Sequence, residues 1–354
     1  MAKWIRWLEE LCQADYALVG KKCANWGEMA GLGLPVPPGF ALTVEAYEYF
    51  FARTGLRRKI CAILDDYAPR LEEYRVYLEA SQAIREVVEG EELPEEIAAE
   101  LRRAYAALSL RCGTVAVPVS VRSSGPVSRP GQFETYLNVK GEAMLCRKVV
   151  HCWSSTFTAQ ALAYRRQRNL PLAEEPIAVG VMRLVEARAA GVAFTADPAT
   201  GATDRIVIEG SWGLGESVVG GRVSPDRFVL AKQDLSLISS RHGEKGTKVV
   251  ATTGGVEEIA VEAAERARPC LGLEELTYLG RLVLKLEEHF GVPQDVEWAV
   301  SATSAFPQNI FLLQTRPIAG LSLGAAANWE PRATSRTPTD HIIDLMLRRV
   351  FQSS

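Results

Sequence analysis

The sequence has little histidine, almost no net charge and no long apolar run. Only four of its 354 residues are histidine, and 40 Lys and Arg residues nearly balance 43 Asp and Glu residues. The net charge of -3 gives no general electrostatic reason to bind nucleic acid or an anionic membrane. No stretch reaches the roughly 18 apolar residues of a membrane span, and the N-terminus carries acids where a signal peptide needs an apolar core. We therefore expect a soluble, cytoplasmic protein.

Paired cysteines are also missing. The seven cysteines are odd in number, and no two of them form a C-x-x-C motif. This pattern indicates neither a disulfide framework nor a zinc site, and it fits a reducing compartment.

The hydrophobic pattern predicts both helices and strands. Residues 44–110 repeat apolar side chains at helical spacing, and from Val115 the period changes to two, which is typical of a strand. Apolar runs at 177–185, 191–195 and 206–208 predict further strands, and 272–290 predicts a helix. Residues 296–300 and 310–314 then resemble a pair of hairpin strands. The composition, 47% apolar and 23% charged, is sufficient for a sizeable core.

Two segments in the first half place cations beside turns. In residues 18–22 (LVGKK), a glycine turn and two lysines precede a helix, where Lys22 and backbone amides could hold phosphate. On this segment alone, a solvated surface turn is the favoured interpretation. Residues 120–125 (SVRSSG) put Arg122 where a strand meets a flexible loop, and arginine can grip phosphate with two nitrogens. A buried arginine paired with a carboxylate is an equally open alternative.

The two C-terminal strands carry a third polar group. Asp295 and Glu297 share one face of their strand, and Gln314 and Arg316 share one face of theirs, because alternate residues point to the same side. Two carboxylates, an amide oxygen and an arginine in one cleft would suit Mg²⁺ and a triphosphate. The alternative, a surface ladder of ion pairs, is hard to reconcile with the neighbouring apolar residues.

Together these segments resemble a known family over about residues 15–318. The similar stretches are 33–40 (GLPVPPGF), 120–123 (SVRS), 152–165 (CWSSTFTAQALAYR), 191–198 (GVAFTADP), 213–216 (GLGE), 293–298 (PQDVEW) and 313–317 (LQTRP). In this order they resemble the N-terminal ATP-grasp domain shared by phosphoenolpyruvate synthase, pyruvate phosphate dikinase and rifampicin phosphotransferase. The resemblance implies an α+β ATP-grasp fold with two lobes around a nucleotide cleft. The lobes would span residues 1–190 and 191–318, followed by a linker and a C-terminal helix at 319–354.

The resemblance also implies which residues bind ATP and Mg²⁺. Lys22, Arg122 and Arg316 would be catalytic and hold the phosphates. Glu297 and Gln314 would hold Mg²⁺, with Asp295 close to it. The ATP-binding set would further include a loop over the phosphates and an adenine neighbour, namely Gly131, Gln132, Thr135 and Met182. The chain departs from the family where Lys21 replaces the second glycine of a Gly-Gly-Lys turn and where Met182 replaces a glutamine.

Full-length relatives carry a phosphorylated histidine in a swivelling domain, and none of His151, His242, His289 and His341 lies in such a motif. The resemblance therefore implies a subunit that transfers the pyrophosphoryl group of ATP to a histidine on a separate partner and releases AMP. The ATP-binding subunit of phenylphosphate synthase is the most similar arrangement, and a phosphoenolpyruvate synthase-like assembly is another. A non-catalytic ATP-binding regulatory module stays open, because the Lys21 and Met182 departures favour it. An ATP-grasp ligase is disfavoured.

Overall fold

The structure is a computed structural model that describes residues 4–70, 73–126 and 133–318. The predicted linker and helix at 319–354, together with Gly131 and Gln132, lie outside these residues. Within them, no helix has both the length and the apolar character needed to cross a membrane.

Two antiparallel sheets and a hairpin form the β structure of this described part. The first sheet has the order β1-β2-β5-β3-β4 and the second has the order β13-β12-β6-β7-β8-β9, while β10 and β11 pair with each other. The strands are β1 (Ile5–Trp7), β2 (Gly39–Leu42), β3 (Val119–Ser124), β4 (Thr135–Val139), β5 (Ala178–Arg183), β6 (Ala187–Phe194), β7 (Arg205–Trp212), β8 (Asp226–Ala231), β9 (Leu237–Arg241), β10 (Thr247–Thr252), β11 (Gly255–Ala260), β12 (Gln294–Ser301) and β13 (Ile310–Pro317).

Helices pack against both sheets. The predicted helical region 44–110 is confirmed, and one of its helices begins directly after Pro94, as the proline and the following acids indicated. The helix predicted at 272–290 is also confirmed, as Leu273–Phe290. The helices are α1 (Tyr16–Gly31), α2 (Val44–Thr54), α3 (Leu56–Tyr67), α4 (Tyr74–Glu89), α5 (Glu95–Arg111), α6 (Glu142–Ser154), α7 (Ala159–Gln167), α8 (Glu216–Val219), α9 (Ala263–Arg266) and α10 (Leu273–Phe290).

Two apolar cores organise these layers. The first packs α2–α6 against one face of the first sheet, with the fully buried Trp153 and Phe50 among its members. The second joins α1 to residues of both sheets and to α10. Helix α1 is therefore anchored on both sheets, and the segment that carries Lys22 lies where they meet.

The strand predictions succeed where the hydrophobic signal is strong. Strands β5, β6, β7, β12 and β13 form as expected, and β12 pairs with β13 in antiparallel register. Strand β3 begins at Val119, four residues later than predicted. Strands β1, β2, β4 and β8–β11 were not predicted. Residues 252–255, which partly resemble a phosphohistidine motif, form the turn between β10 and β11, where Thr252 pairs with Gly255. The lobe boundary at 190/191 stays a prediction; the chain leaves the first sheet at Arg183 and enters the second at Ala187.

Candidate active site

A glycine at position 20 lets α1 approach the end of β3. Gly20 interrupts the helix with φ 70° and ψ 165°, and a Cβ atom there would lie 2.1 Å from the carbonyl oxygen of Ser124. Because that obstacle is backbone, only glycine fits this position. The amide of Lys21 donates a hydrogen bond to the Gly125 carbonyl at 3.0 Å, and the Cys23 amide donates to the Ser124 hydroxyl at 3.2 Å. These contacts fix Lys22 beside the end of β3.

Arg122 of β3 reaches across to the second sheet. Its Nη2 donates to Oε2 of Glu297 on β12 at 2.9 Å, and the two side chains are only 15% and 18% exposed. Thr135 is the direct cross-strand partner of Arg122 on β4. Arg122 is therefore paired with a carboxylate, as one of its two interpretations stated. Because that carboxylate, Glu297, is the predicted metal ligand, the other interpretation, a role in phosphate binding, also stays open.

The polar residues of β12 and β13 face one another in register. Asp295 lies opposite Arg316 and Glu297 lies opposite Gln314. Arg316 donates from Nε to Oδ2 of Asp295 at 2.8 Å, and its Nη2 lies 2.7 Å from the same oxygen in an ion pair. The register shifts just after Glu297, so Leu313 is an extra residue without a direct partner. Such bulges redirect side chains and are common beside active sites.

Helix α1 also binds the backbone of β13. The indole N–H of Trp26 donates to the Leu313 carbonyl at 2.6 Å, and Nδ2 of Asn25 donates to the Thr315 carbonyl at 2.9 Å. The helix that carries Lys22 is thus tied to the strand that carries Gln314 and Arg316. We conclude that four elements, namely α1, β3, β12 and β13, hold one polar cluster.

A cavity of about 100 Å³ lies in this cluster. Two of its lining residues have a buried polar atom without a hydrogen-bond partner in the described part of the chain, namely Oγ of Ser123 and Oε1 of Gln314. Nε of Arg122, which does not line the cavity, is also buried and unpaired among these residues. Buried polar atoms normally have partners, so unpaired ones in one place indicate a ligand or water. The cavity is lined by Lys21, Lys22, Asn25, Ser123, Gly125, Phe133, Gln314, Thr315, Arg316 and Pro317.

Burial and charge shift the pKa values of the site residues. Burial raises the pKa of Glu297, but the positive charges of Arg122, Lys22 and Arg316 outweigh it and leave the pKa below its ordinary value. For Asp295, burial dominates, and the pKa is raised in spite of Arg316. Burial, reinforced by the charge of Arg122, lowers the pKa of Lys22 to about 8.

The predicted site residues are not all brought together. Lys22, Gln314 and Arg316 line the cavity, and Arg122, Glu297, Asp295 and Thr135 are bound to them or adjacent in the sheets. Met182 is not at this cavity, because it is 2% exposed and packs in the core around α1. Gly131 and Gln132 lie outside the described residues. Asn25 and Ser123 were missed, although Asn25 follows Lys22 by three residues and so lies on its side of the helix.

The residues present fit a magnesium-bound polyphosphate. Within the described ranges, no group of three or more His, Cys, Asp or Glu side chains could hold a metal alone. Mg²⁺ is commonly held by one or two carboxylates together with substrate phosphates. Glu297, Asp295 and the unpaired Oε1 of Gln314 could supply the protein's share of such a site.

Comparison with known proteins decides the family. The family described as pyruvate phosphate dikinase, AMP/ATP-binding domain, matches residues 16–336. The chain belongs to this family. Its fold is accordingly the ATP-grasp fold of the pyruvate phosphate dikinase N-terminal domain, with mixed helices and antiparallel sheets, as the resemblance implied.

Several similar proteins are named phosphoenolpyruvate synthases. The probable phosphoenolpyruvate synthase of Staphylothermus marinus is 38% identical over 343 residues, which cover 89% of this chain and 41% of that protein. The enzyme of Aeropyrum pernix is 38% identical over 346 residues, covering 88% and 42%. That of Helicobacter pylori is 33% identical over 343 residues, covering 89% and 42%. The chain thus spans less than half the length of these relatives.

Proposed function

We propose that this chain binds Mg·ATP between its two sheets and donates the pyrophosphoryl group to a histidine on a separate partner protein. The main observation behind this proposal is that Lys22, Gln314 and Arg316 line one cavity, where the buried Oε1 of Gln314 has no hydrogen-bond partner among the described residues. Cations and hydrogen-bond donors arranged in advance around phosphate are the main means of catalysing phosphoryl transfer. Family membership supports the nucleotide as the ligand.

The proposed transfer forms no covalent intermediate on this chain. An imidazole nitrogen of the partner histidine attacks the β-phosphorus of ATP, the bond between the β-phosphorus and the bridging α–β oxygen breaks, and AMP leaves. The histidine loses one proton and carries the β- and γ-phosphates. Lys22, Arg122 and Arg316 hold the phosphates and neutralise their charge, while Mg²⁺, held by Glu297, Gln314 and Asp295, would add further neutralisation.

The described histidines support an acceptor outside the cavity. His289 contacts Glu28 at 2.8 Å, His151 lies 3.9 Å from Glu89, and His242 lies 3.7 Å from Asp226. None of these three lines the cavity. A phenylphosphate synthase-like or a phosphoenolpyruvate synthase-like assembly could supply the histidine. The partner would then determine which molecule finally accepts the phosphoryl group.

The proposal is tested with ATP labelled at the β-phosphate. As acceptor we would use the part of the Staphylothermus marinus relative that lies outside the match to this chain. We expect acid-labile label on the acceptor, one AMP for each label, and little AMP from the chain alone. Arg122→Ala or Glu297→Ala should remove about 2–4 kcal/mol of transition-state stabilisation. The transfer rate should fall accordingly. Wild-type rates in either variant would refute the assigned site.

The second candidate is a non-catalytic ATP-binding regulatory module. The burial of Met182 away from the cavity is the observation that keeps it open. Tight binding of Mg·ATP without label on the acceptor would favour this module over the phosphoryl donor. Absence of Mg·ATP binding would contradict both functions.

A further inference from the structure

The position after Gly20 does not require glycine. Gly20 itself has φ 70° and no room for a Cβ atom. Lys21, in contrast, is not among the described residues with positive φ, so its backbone accepts a side chain without strain. Its amide is already bound to the Gly125 carbonyl. The turn therefore keeps its shape with lysine at this position, and the side chain is free to serve another purpose.

Lys21 lines the same cavity as Lys22, Gln314 and Arg316. It is exposed, whereas Lys22 lies deeper, beside Arg122. Lys21 is accordingly at the mouth of the cavity, on the side open to solvent. A polyphosphate bound by Lys22 would therefore share this cavity with Lys21.

The charges around the cavity are unequally matched. Arg122 is paired with Glu297, and Arg316 is paired with Asp295. The ammonium groups of Lys21 and Lys22 have neither a hydrogen bond nor an ion pair within residues 4–70, 73–126 and 133–318. The two arginines are thus partly neutralised before any ligand arrives. The lysines supply the unmatched positive charge, and an anion is the ligand that would match it.

We propose that Lys21 is a second phosphate-binding lysine, which contacts the outermost phosphates of the bound nucleotide and makes the site prefer tri- and diphosphates over monophosphates. This inference rests on the proposed nucleotide site and extends it. A compact ammonium on a flexible stem suits an outer phosphate, since it can follow the charge without a fixed geometry. We assign Lys21 to binding and selectivity. The transfer step depends on Lys22, Arg122 and Arg316.

Calorimetric binding of Mg·ATP, Mg·ADP and AMP to the full chain tests this role. We expect Lys21→Gln to weaken Mg·ATP binding by about tenfold, since a hydrogen bond to a charged group contributes about that factor. AMP binding should change less than about twofold, because AMP lacks the outer phosphates. Lys21→Arg should restore most of the Mg·ATP affinity. Lys21→Gly, which restores the glycine of the family turn, should behave like Lys21→Gln.

Lys140→Gln is the matched control, because Lys140 is also exposed but does not line the cavity. It should bind all three nucleotides as the wild type does. If Lys21→Gln keeps the wild-type ratio of Mg·ATP to AMP affinity, Lys21 is a solvated surface residue and the inference is overturned. If the wild-type chain itself binds no Mg·ATP, the proposed function fails first, so the two failures are distinguishable.

Discussion

At the scale of single residues, Lys22 combines a site role with a cost to folding. The pKa of its ammonium falls from 10.5 to about 8, first because of burial and then because of the Arg122 charge. Such a shift corresponds to about 3 kcal/mol of stability lost while the group is charged. Binding sites often carry this kind of cost, because the arrangement that suits the ligand does not suit the empty protein.

We predict that Lys22→Met stabilises the ligand-free protein at pH 7 by up to about 3 kcal/mol. Between the folded pKa of about 8 and the unfolded pKa of 10.5, the wild-type unfolded state binds more protons than the folded state, so wild-type stability rises with pH. The advantage of the variant should therefore shrink over this window. Urea unfolding at several pH values measures it, and Lys140→Met should show no such trend. A constant difference from pH 7 to 10.5 would contradict the burial of the charge.

At the scale of elements, the contact between α1 and β13 sets the geometry of the cavity. Trp26 and Trp153 are both fully buried, but only Trp26 uses its indole N–H, which it donates to the Leu313 carbonyl. Nε1 of Trp153 has no partner in the described part of the chain. A comparison of the same substitution at Trp26 and at Trp153 therefore separates the loss of a hydrogen bond from the loss of ring volume.

We predict that Trp26→Phe costs about 1–3 kcal/mol more stability than Trp153→Phe, because the part-buried Leu313 carbonyl loses the indole donor. Trp26→Phe should also weaken Mg·ATP binding, since α1 then keeps only the Asn25 hydrogen bond to β13 of the two described above and holds Lys22 less firmly. Trp153→Phe should leave that affinity unchanged. Urea midpoints and binding constants check both statements. Equal losses in the two variants would mean that the hydrogen bond contributes nothing.

At the scale of the whole molecule, the Arg122–Glu297 pair joins the two sheets. Removing one member of a buried pair leaves an uncompensated charge and costs about 3–5 kcal/mol, whereas removing both costs less. We predict a coupling energy of at least about 1 kcal/mol in a cycle of Arg122→Met, Glu297→Gln and the double variant. The pKa of Glu297 is depressed, so its contribution holds above the ordinary glutamate pKa and is lost as pH falls through the folded value.

Unfolding in urea at neutral pH and again at acidic pH measures this coupling. The coupling should decrease at acidic pH, as Glu297 becomes protonated. Independent effects of the two substitutions at neutral pH would show that this ion pair does not help to hold the sheets together.

The sequence by itself determined the features that depend on local geometry. A period of two places Asp295 and Glu297 on one face of β12, and the same rule places Gln314 and Arg316 together on β13. The helices at 44–110 follow from helical spacing. Strands β9 and β11 escaped prediction because they are exposed on nearly every residue and so lack an apolar–polar alternation.

Only the tertiary structure decided which residues meet across the chain. Arg122 and Glu297 are 175 positions apart, and Trp26 and Leu313 are 287 positions apart, so no local pattern could pair them. The same holds for Met182, which alternation alone could place on either side of the first sheet and which packing directs into the core around α1. Contacts of this kind depend on how α1 lies between the two sheets, and that placement is fixed by burial of apolar surface from every layer at once.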